Sequence, residues 1–168
     1  LREPEELLHL EVGTILAGPA VWGKHVFVAV AEEFDPGAPE KVVCVVLMLD
    51  LQTGEEAARY KLRKRGAVHF LAVHNSRLVA ATPEYVALVQ IEADGFKHVA
   101  AKSFDNIGVG LLLDQVLVLR ESDRSAAIFD TKRLQELGAV DLPGDSLSWY
   151  GGRLYSIGKV ARDESLGL

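Results

Sequence analysis

Apolar residues in this chain come in short runs, and polar turn residues cut them at a regular spacing. The clearest stretch lies at 67–103, where apolar segments 67–74, 77–81, 84–92 and 96–103 are separated by Asn75-Ser76, Thr82-Pro83 and Ala93-Asp94-Gly95. Asn and Gly tolerate positive φ and Pro presets the entry to a turn, so these breaks predict four antiparallel strands. The same grammar gives strands at 20–22, 25–31, 42–50 and 56–62 before this unit, and at 107–112, 116–121, 125–130 and 136–142 after it. The run 42–50 is apolar at consecutive positions, as a strand covered on both faces should be.

The units recur with a fixed period. Leu78, Val116 and Leu154 open successive second strands at intervals of 38 residues, and Glu92 and Asp130 close third strands at the same interval. A repeat of about 40 residues holding several strands is the signature of a propeller blade. The first interval, from Val26 to Leu78, is longer because an acidic, Pro-containing insertion occupies 32–41. A fourth unit offers only 146–150 and 153–159. The N-terminal segment 7–16 resembles the strand before Pro143-Gly144, and it is expected to close that unit as its outer strand, relieving an open edge.

The expected fold is therefore all-β: one β-propeller-like, WD40-like domain over residues 1–168, with about three full four-stranded antiparallel sheets and a partial one. The partial unit makes it either an irregular domain or part of a larger propeller. Val45, Leu47, Val68, Leu88, Val118 and Ile128 are the expected core. Two helical alternatives exist: a short helix opening at Pro4, and one over 131–138 with Thr131 as cap and Gly138 as terminator.

Composition narrows the class. Of 168 residues, 49% are apolar and 25% charged, which excludes a disordered chain. The longest apolar run, 42–49, falls far short of the roughly 20 residues that span a bilayer. No basic region followed by an apolar stretch marks a signal peptide, so an intracellular protein is expected. The net charge of −6 argues against general phosphate-backbone binding. Cys44 is the single cysteine and lies within an apolar run, where a thiol acts as a small hydrophobe.

Two resemblances follow from the repeat. The stretch 45–62, VVLMLDLQTGEEAARYKL, resembles the repeat of quinoprotein-type propellers, with an apolar strand, an Asp, a Thr-Gly hairpin and a Glu-led strand. The longer order from His25 to Thr131 includes the acidic insertion, Arg65-Gly66-Ala67-Val68, Asn75-Ser76-Arg77-Leu78 and Glu121-Ser122-Asp123-Arg124-Ser125. It resembles the C-terminal propeller region shared by the large damaged-DNA-binding protein and the largest cleavage and polyadenylation specificity factor subunit. That resemblance implies a multiprotein scaffold whose propellers bind partners.

Catalytic chemistry finds no constellation in the sequence. The five histidines lack metal-site spacing, and His69 and His74 fall on opposite faces of one strand. Gly144-Asp145-Ser146-Leu147-Ser148 lacks the strand-to-helix setting of a nucleophile elbow, and Ile107-Gly108-Val109-Gly110 has no helix after it to complete a phosphate loop. Trp22, Trp149 and Tyr150 sit at equivalent turns and are expected to plug the structure or wall a shallow pocket. No cofactor, metal or enzymatic activity is expected. Two stretches suit a protein partner: Glu32, Glu33, Phe34 and Asp35 in the insertion, where a long loop on a rigid sheet often carries binding, and Lys61, Arg63, Lys64 and Arg65 between units. The second stretch also admits nucleic acid as the less favoured partner, and a quinoprotein-like cofactor site is the other alternative.

Overall fold

The computed structural model describes residues 14–33, 37–38, 41–108, 110–120, 125–141, 146–150 and 153–157. The first sheet comprises β1 (Thr14–Trp22), β2 (His25–Glu33), β3 (Val43–Asp50) and β4 (Glu56–Lys61), hydrogen-bonded in chain order. The second comprises β5 (Phe70–His74), β6 (Arg77–Thr82), β7 (Tyr85–Glu92) and β8 (Gly95–Ser103). The third holds β9 (Gly110–Leu112), β10 (Val116–Arg120), β11 (Ser125–Asp130) and β12 (Glu136–Asp141), and a hairpin of β13 (Ser146–Tyr150) and β14 (Arg153–Ile157) follows. All pairings are antiparallel meanders. The chain is thus an all-β, propeller-like array of three complete four-stranded sheets and a partial one.

The two middle strands of each complete sheet carry the core, because a pleated strand sends successive side chains to opposite faces. Phe27, Val46, Met48, Leu78, Ala87 and Val89 meet between the first and second sheets. On the reverse face of the second sheet, Val79, Val86 and Leu88 meet Leu117, Leu119 and Phe129 of the third. Burying one such side chain is worth roughly 1.5–3 kcal/mol. The first strands β1, β5, β9 and β13 pack on one another in that order, while the outer strands β4 and β12 are largely exposed and β8 is mostly half-buried.

Each outer strand carries a bulge. The register slips between Met48 and Leu49, between Leu88 and Val89, and between Ile128 and Phe129, leaving an extra residue on the outer strand each time. Bulges twist an edge away from further pairing. Leu137 is the extra residue in β12, and it is accordingly 60% exposed.

Several sequence expectations need correcting. The repeat is not a strict 38: the second strands of the last three units begin at Arg77, Val116 and Arg153, intervals of 39 and 37. Leu78 therefore corresponds to Leu117, fully buried, and not to half-buried Val116; a slip of one residue exchanges the two faces. The strand expected at 20–22 runs from Thr14 through Gly18-Pro19, a cis bond, with register shifts on either side of Ala17. Pro survives here because β1 is an edge strand with irregular pairing. Thr14 and Ile15 pair with Ala31 and Val30, so this end of 7–16 belongs to the first sheet rather than closing the last unit, and the rest of that segment lies outside the described residues. So does the helix expected at Pro4.

The helix alternative at 131–138 is a turn. Asp130 Oδ1 accepts the backbone N–H groups of Lys132 and Arg133 at 2.7 and 2.8 Å, and Oδ2 accepts that of Gln135 at 2.8 Å. Asp50 closes the equivalent turn of the first sheet by accepting from Gln52 and Thr53. Gly54 there takes φ 73°, and its counterpart Leu134 takes φ 55° with its side chain in the core. Of the expected core, Val45, Leu47, Val68, Leu88 and Val118 are buried, but Ile128 is only half-buried. It lies on the opposite face of the third sheet from Ala127 and Phe129, which pack on the second. Trp22, Trp149 and Tyr150 are not plugs: they are 38%, 46% and 79% exposed.

Two predictions follow from this packing. Leu88→Ala should cost about 2–5 kcal/mol in urea unfolding, whereas Leu137→Ala should change stability by less than about 0.5 kcal/mol. The turn aspartates set an acid dependence. The Gln52 and Thr53 N–H groups hold the Asp50 carboxyl below its ordinary value; at Asp130 burial pushes upward, but its backbone donors outweigh it. A carboxyl lowered on folding contributes stability above its unfolded pKa and loses it as pH falls through the folded one. Unfolding followed from neutral to acid pH should therefore show a shallower acid loss in the Asp50→Asn, Asp130→Asn double variant than in the parent.

Candidate functional site

Antiparallel order sorts the turns onto two rims. The first-to-second and third-to-fourth strand turns of each sheet share one rim, here the turn rim. The second-to-third turns and the connections from sheet to sheet share the other, the connection rim. The insertion expected at 32–41 falls where the chain passes from β2 to β3, and 62–69 is a sheet-to-sheet connection. Both sequence candidates therefore lie on the connection rim.

They also touch. Lys61 Nζ donates to Glu32 Oε2 at 2.7 Å, and Arg59 Nη1 lies 3.9 Å from the other oxygen of Glu32. Arg59 is itself held by both carboxylate oxygens of Glu56 at 2.6 Å, a pairing that the β4 bulge makes possible by bringing residues three apart to one side. Glu33 ends β2 opposite Val43, while Phe34 and Asp35 lie outside the described residues. Nearby Ala38 is buried and its carbonyl accepts the Lys41 N–H at 2.9 Å.

The basic run divides by residue. Lys64 Nζ donates to Ser103 Oγ at 2.7 Å and sits 5.9 Å from the Tyr85 ring centre. Close by, Tyr60 and His98 occupy equivalent outer strands 38 residues apart, their rings 7° from parallel, with the Tyr60 hydroxyl 2.9 Å from His98 Nδ1. Burial, reinforced by the Arg63 cation, holds the His98 imidazole below its ordinary pKa. Burial raises the Tyr60 and Tyr85 phenols. Sequence reasoning missed this pair, because the two residues hold different register positions on their strands and meet only when the sheets pack.

Arg65 opens a pocket of about 300 Å³ that sequence reasoning also missed. The chain turns in at Gly66, whose N–H donates to the Val42 carbonyl at 2.9 Å and whose carbonyl accepts the Cys44 thiol at 3.1 Å. Its φ of 125° suits glycine, and a Cβ there would crowd the Thr82 side chain at 3.3 Å. Ala67, His69 and the turn Thr82-Pro83-Glu84 complete the wall. His69 is tethered twice, its N–H to Ala81 and its Nε2 to the Gly108 carbonyl at 2.7 Å. The paired turn signals at Arg65-Gly66 and Thr82-Pro83 were visible in the sequence, but not that they meet.

Cys44 is buried and burial raises its thiol pKa, so it packs and donates in its protonated form. Among the described residues, no three His, Cys, Asp or Glu side chains form a metal-binding group, and no helix is long and apolar enough to cross a membrane.

No protein-family model and no curated protein sequence matches the chain. Solved structures share its fold. BamB from Moraxella catarrhalis, a β-propeller protein, matches at a TM-score of 0.58 and 12% identity, over 77% of this chain and 38% of BamB. The computationally designed Ika4 protein matches at a TM-score of 0.65 and 15% identity, over 94% of each chain. The chain thus spans well under half of BamB's length. At such identities the likeness is one of architecture, and it agrees with the propeller-like order of the sheets.

The Arg63 effect is open to measurement. Arg63→Ala removes a cation that disfavours imidazolium, so the His98 pKa followed by NMR should rise relative to the parent; an unchanged or lower value contradicts the placement.

Proposed function

We propose that this chain is a non-catalytic protein-interaction module and that its connection rim binds a protein partner. The observation that carries the reading is the Glu32–Lys61 ion pair, which joins the foot of the insertion to the start of the basic run and makes one surface of two separate sequence features. A rigid sheet array presenting one long turn beside exposed cations is suited to recognition. The likeness of 25–131 to the propeller region of the damaged-DNA-binding and cleavage-factor subunits supports the same scaffold reading. The quinoprotein-like stretch 45–62 has a structural use instead, since its Asp50 closes a turn on the opposite rim.

The test is affinity capture from lysate with mass spectrometry. The parent is compared with a Phe34→Ala, Asp35→Ala variant and an Arg63→Glu, Arg65→Glu variant, all exposed or in the insertion. Expected is loss of the same specific proteins from at least one variant at an unchanged melting temperature, and insensitivity of that capture to nuclease. Equal capture by all three proteins overturns the assignment of this rim, and capture abolished by nuclease favours the nucleic-acid alternative.

A further inference from the structure

The pocket beside Arg65 has the features of a formed binding site. Its floor is small and apolar, made of Gly66, Ala67, Pro83 and the Thr82 side chain. Thr82 is only 1% exposed, and both Gly66 and His69 are held by hydrogen bonds to neighbouring strands. These tethers keep the cavity open without a ligand, which lowers the ordering cost of binding. About 300 Å³ is the lower end of ligand-site volumes, room for one side chain and its immediate neighbours rather than a large cofactor.

The wall itself carries one charge of each sign, Arg65 and Glu84. Lys61 is neutralised by Glu32, and Lys64 is engaged by Ser103 and Tyr85. Among the described residues, neither Arg63 nor Arg65 enters an ion pair. Glu84 is the one carboxylate in the wall, against Arg65 in the wall and Arg63 two residues before it. A guanidinium presents a planar fork that receives a carboxylate through two hydrogen bonds. His69 adds a further polar group, its ring fixed by Nε2–H donating to the Gly108 carbonyl.

We infer that this pocket seats an apolar side chain of a partner peptide whose next residue is acidic, with Arg65 receiving the carboxylate. The inference rests on the interaction reading of the connection rim and specifies the partner's chemistry. The apolar side chain covers the Ala67–Pro83 floor, Arg65 fixes the direction of the peptide, and Glu84 disfavours a second acid on its own side.

Fluorescence polarisation with labelled heptapeptides Gly-Ser-Z-Glu-Glu-Ser-Gly, where Z is Leu, Ile or Phe, tests it on the whole chain. Expected is saturable binding of at least one peptide, weakened by about tenfold or more when Z becomes Gly or both Glu become Lys. Arg65→Glu should weaken it by a similar factor, and Glu84→Lys should tighten it; both residues are exposed, and melting temperature checks the fold. Absence of binding by every peptide overturns the inference, as does undiminished binding by Arg65→Glu. If the peptides fail while the lysate capture still depends on the rim, the pocket assignment falls and the interaction module stands. If the lysate capture is also indifferent to the rim, both fall.

Discussion

The packing of β6 and β7 between two other sheets sets the terms for the whole structure. Leu78, Ala80, Ala87 and Val89 face the first sheet, and Val79, Ala81, Val86 and Leu88 face the third. A sheet with two apolar faces cannot bury them alone, so it is stable only between neighbours. The alanines at the centre of these strands allow close approach, and the larger Phe27, Met48 and Phe129 fill the space from either side. Outer strands have no such demand. They are free to be polar and bulged, which keeps the edges from recruiting further strands.

Apolar contact fixes the distance between sheets but not their rotation, because the hydrophobic effect has little direction. Polar contacts supply that direction. Tyr60 meets His98, Lys64 meets Ser103, His69 meets Gly108 and Asn75 meets Asp114, with separations of 38 or 39 residues. His69–Gly108 and Asn75–Asp114 each join a position to its own counterpart in the next unit, whereas Tyr60–His98 and Lys64–Ser103 cross between offset positions of neighbouring units. Asn75–Asp114 lies on the turn rim and His69–Gly108 on the connection rim, so the second and third sheets are tied at both ends. Lys102 adds a bond of the same kind, standing 4.5 Å over the Phe129 ring centre and 3.5 Å from Glu136.

What the sequence made legible was whatever local chemistry dictates. Asn75-Ser76 takes the two positive φ values that its turn requires, and the apolar runs of the middle strands are buried on both faces. The sheet count and strand order followed from those signals. Strand phase did not, because units of unequal turn length hide a slip of one residue, as at Val116 and Leu117. Nor did β1, where Gly18-Pro19 reads locally as a break and tertiary pairing with β2 carries the strand through it. Thr131 to Gly138 has helix-like ends, yet three hydrogen bonds to the Asp130 carboxylate make a tighter local solution. For the site, the charged residues were visible individually. Their division into engaged Lys61 and Lys64, and Arg63 and Arg65 that enter no ion pair among the described residues, depends on contacts 29 and 39 residues away.

The two rims differ in how their polar groups are used, and that difference bears on function. On the turn rim, Asp50, Asp130, Asn75 and Asp114 are engaged within the chain. That rim also exposes Trp22, Trp149 and Tyr150, which makes it the rival surface for recognition. Trp22 belongs to the first sheet and the other two to the partial unit, with two complete sheets between them in the packing order. Each end has exposed apolar neighbours, Val21 and Leu51 near Trp22 and Trp149 next to Tyr150. The connection rim instead brings together the Arg65 guanidinium, which enters no ion pair among the described residues, and the pocket that it borders with Gly66, Ala67 and Pro83. Recognition needs apolar area and directional groups at one place, and this rim sets them side by side.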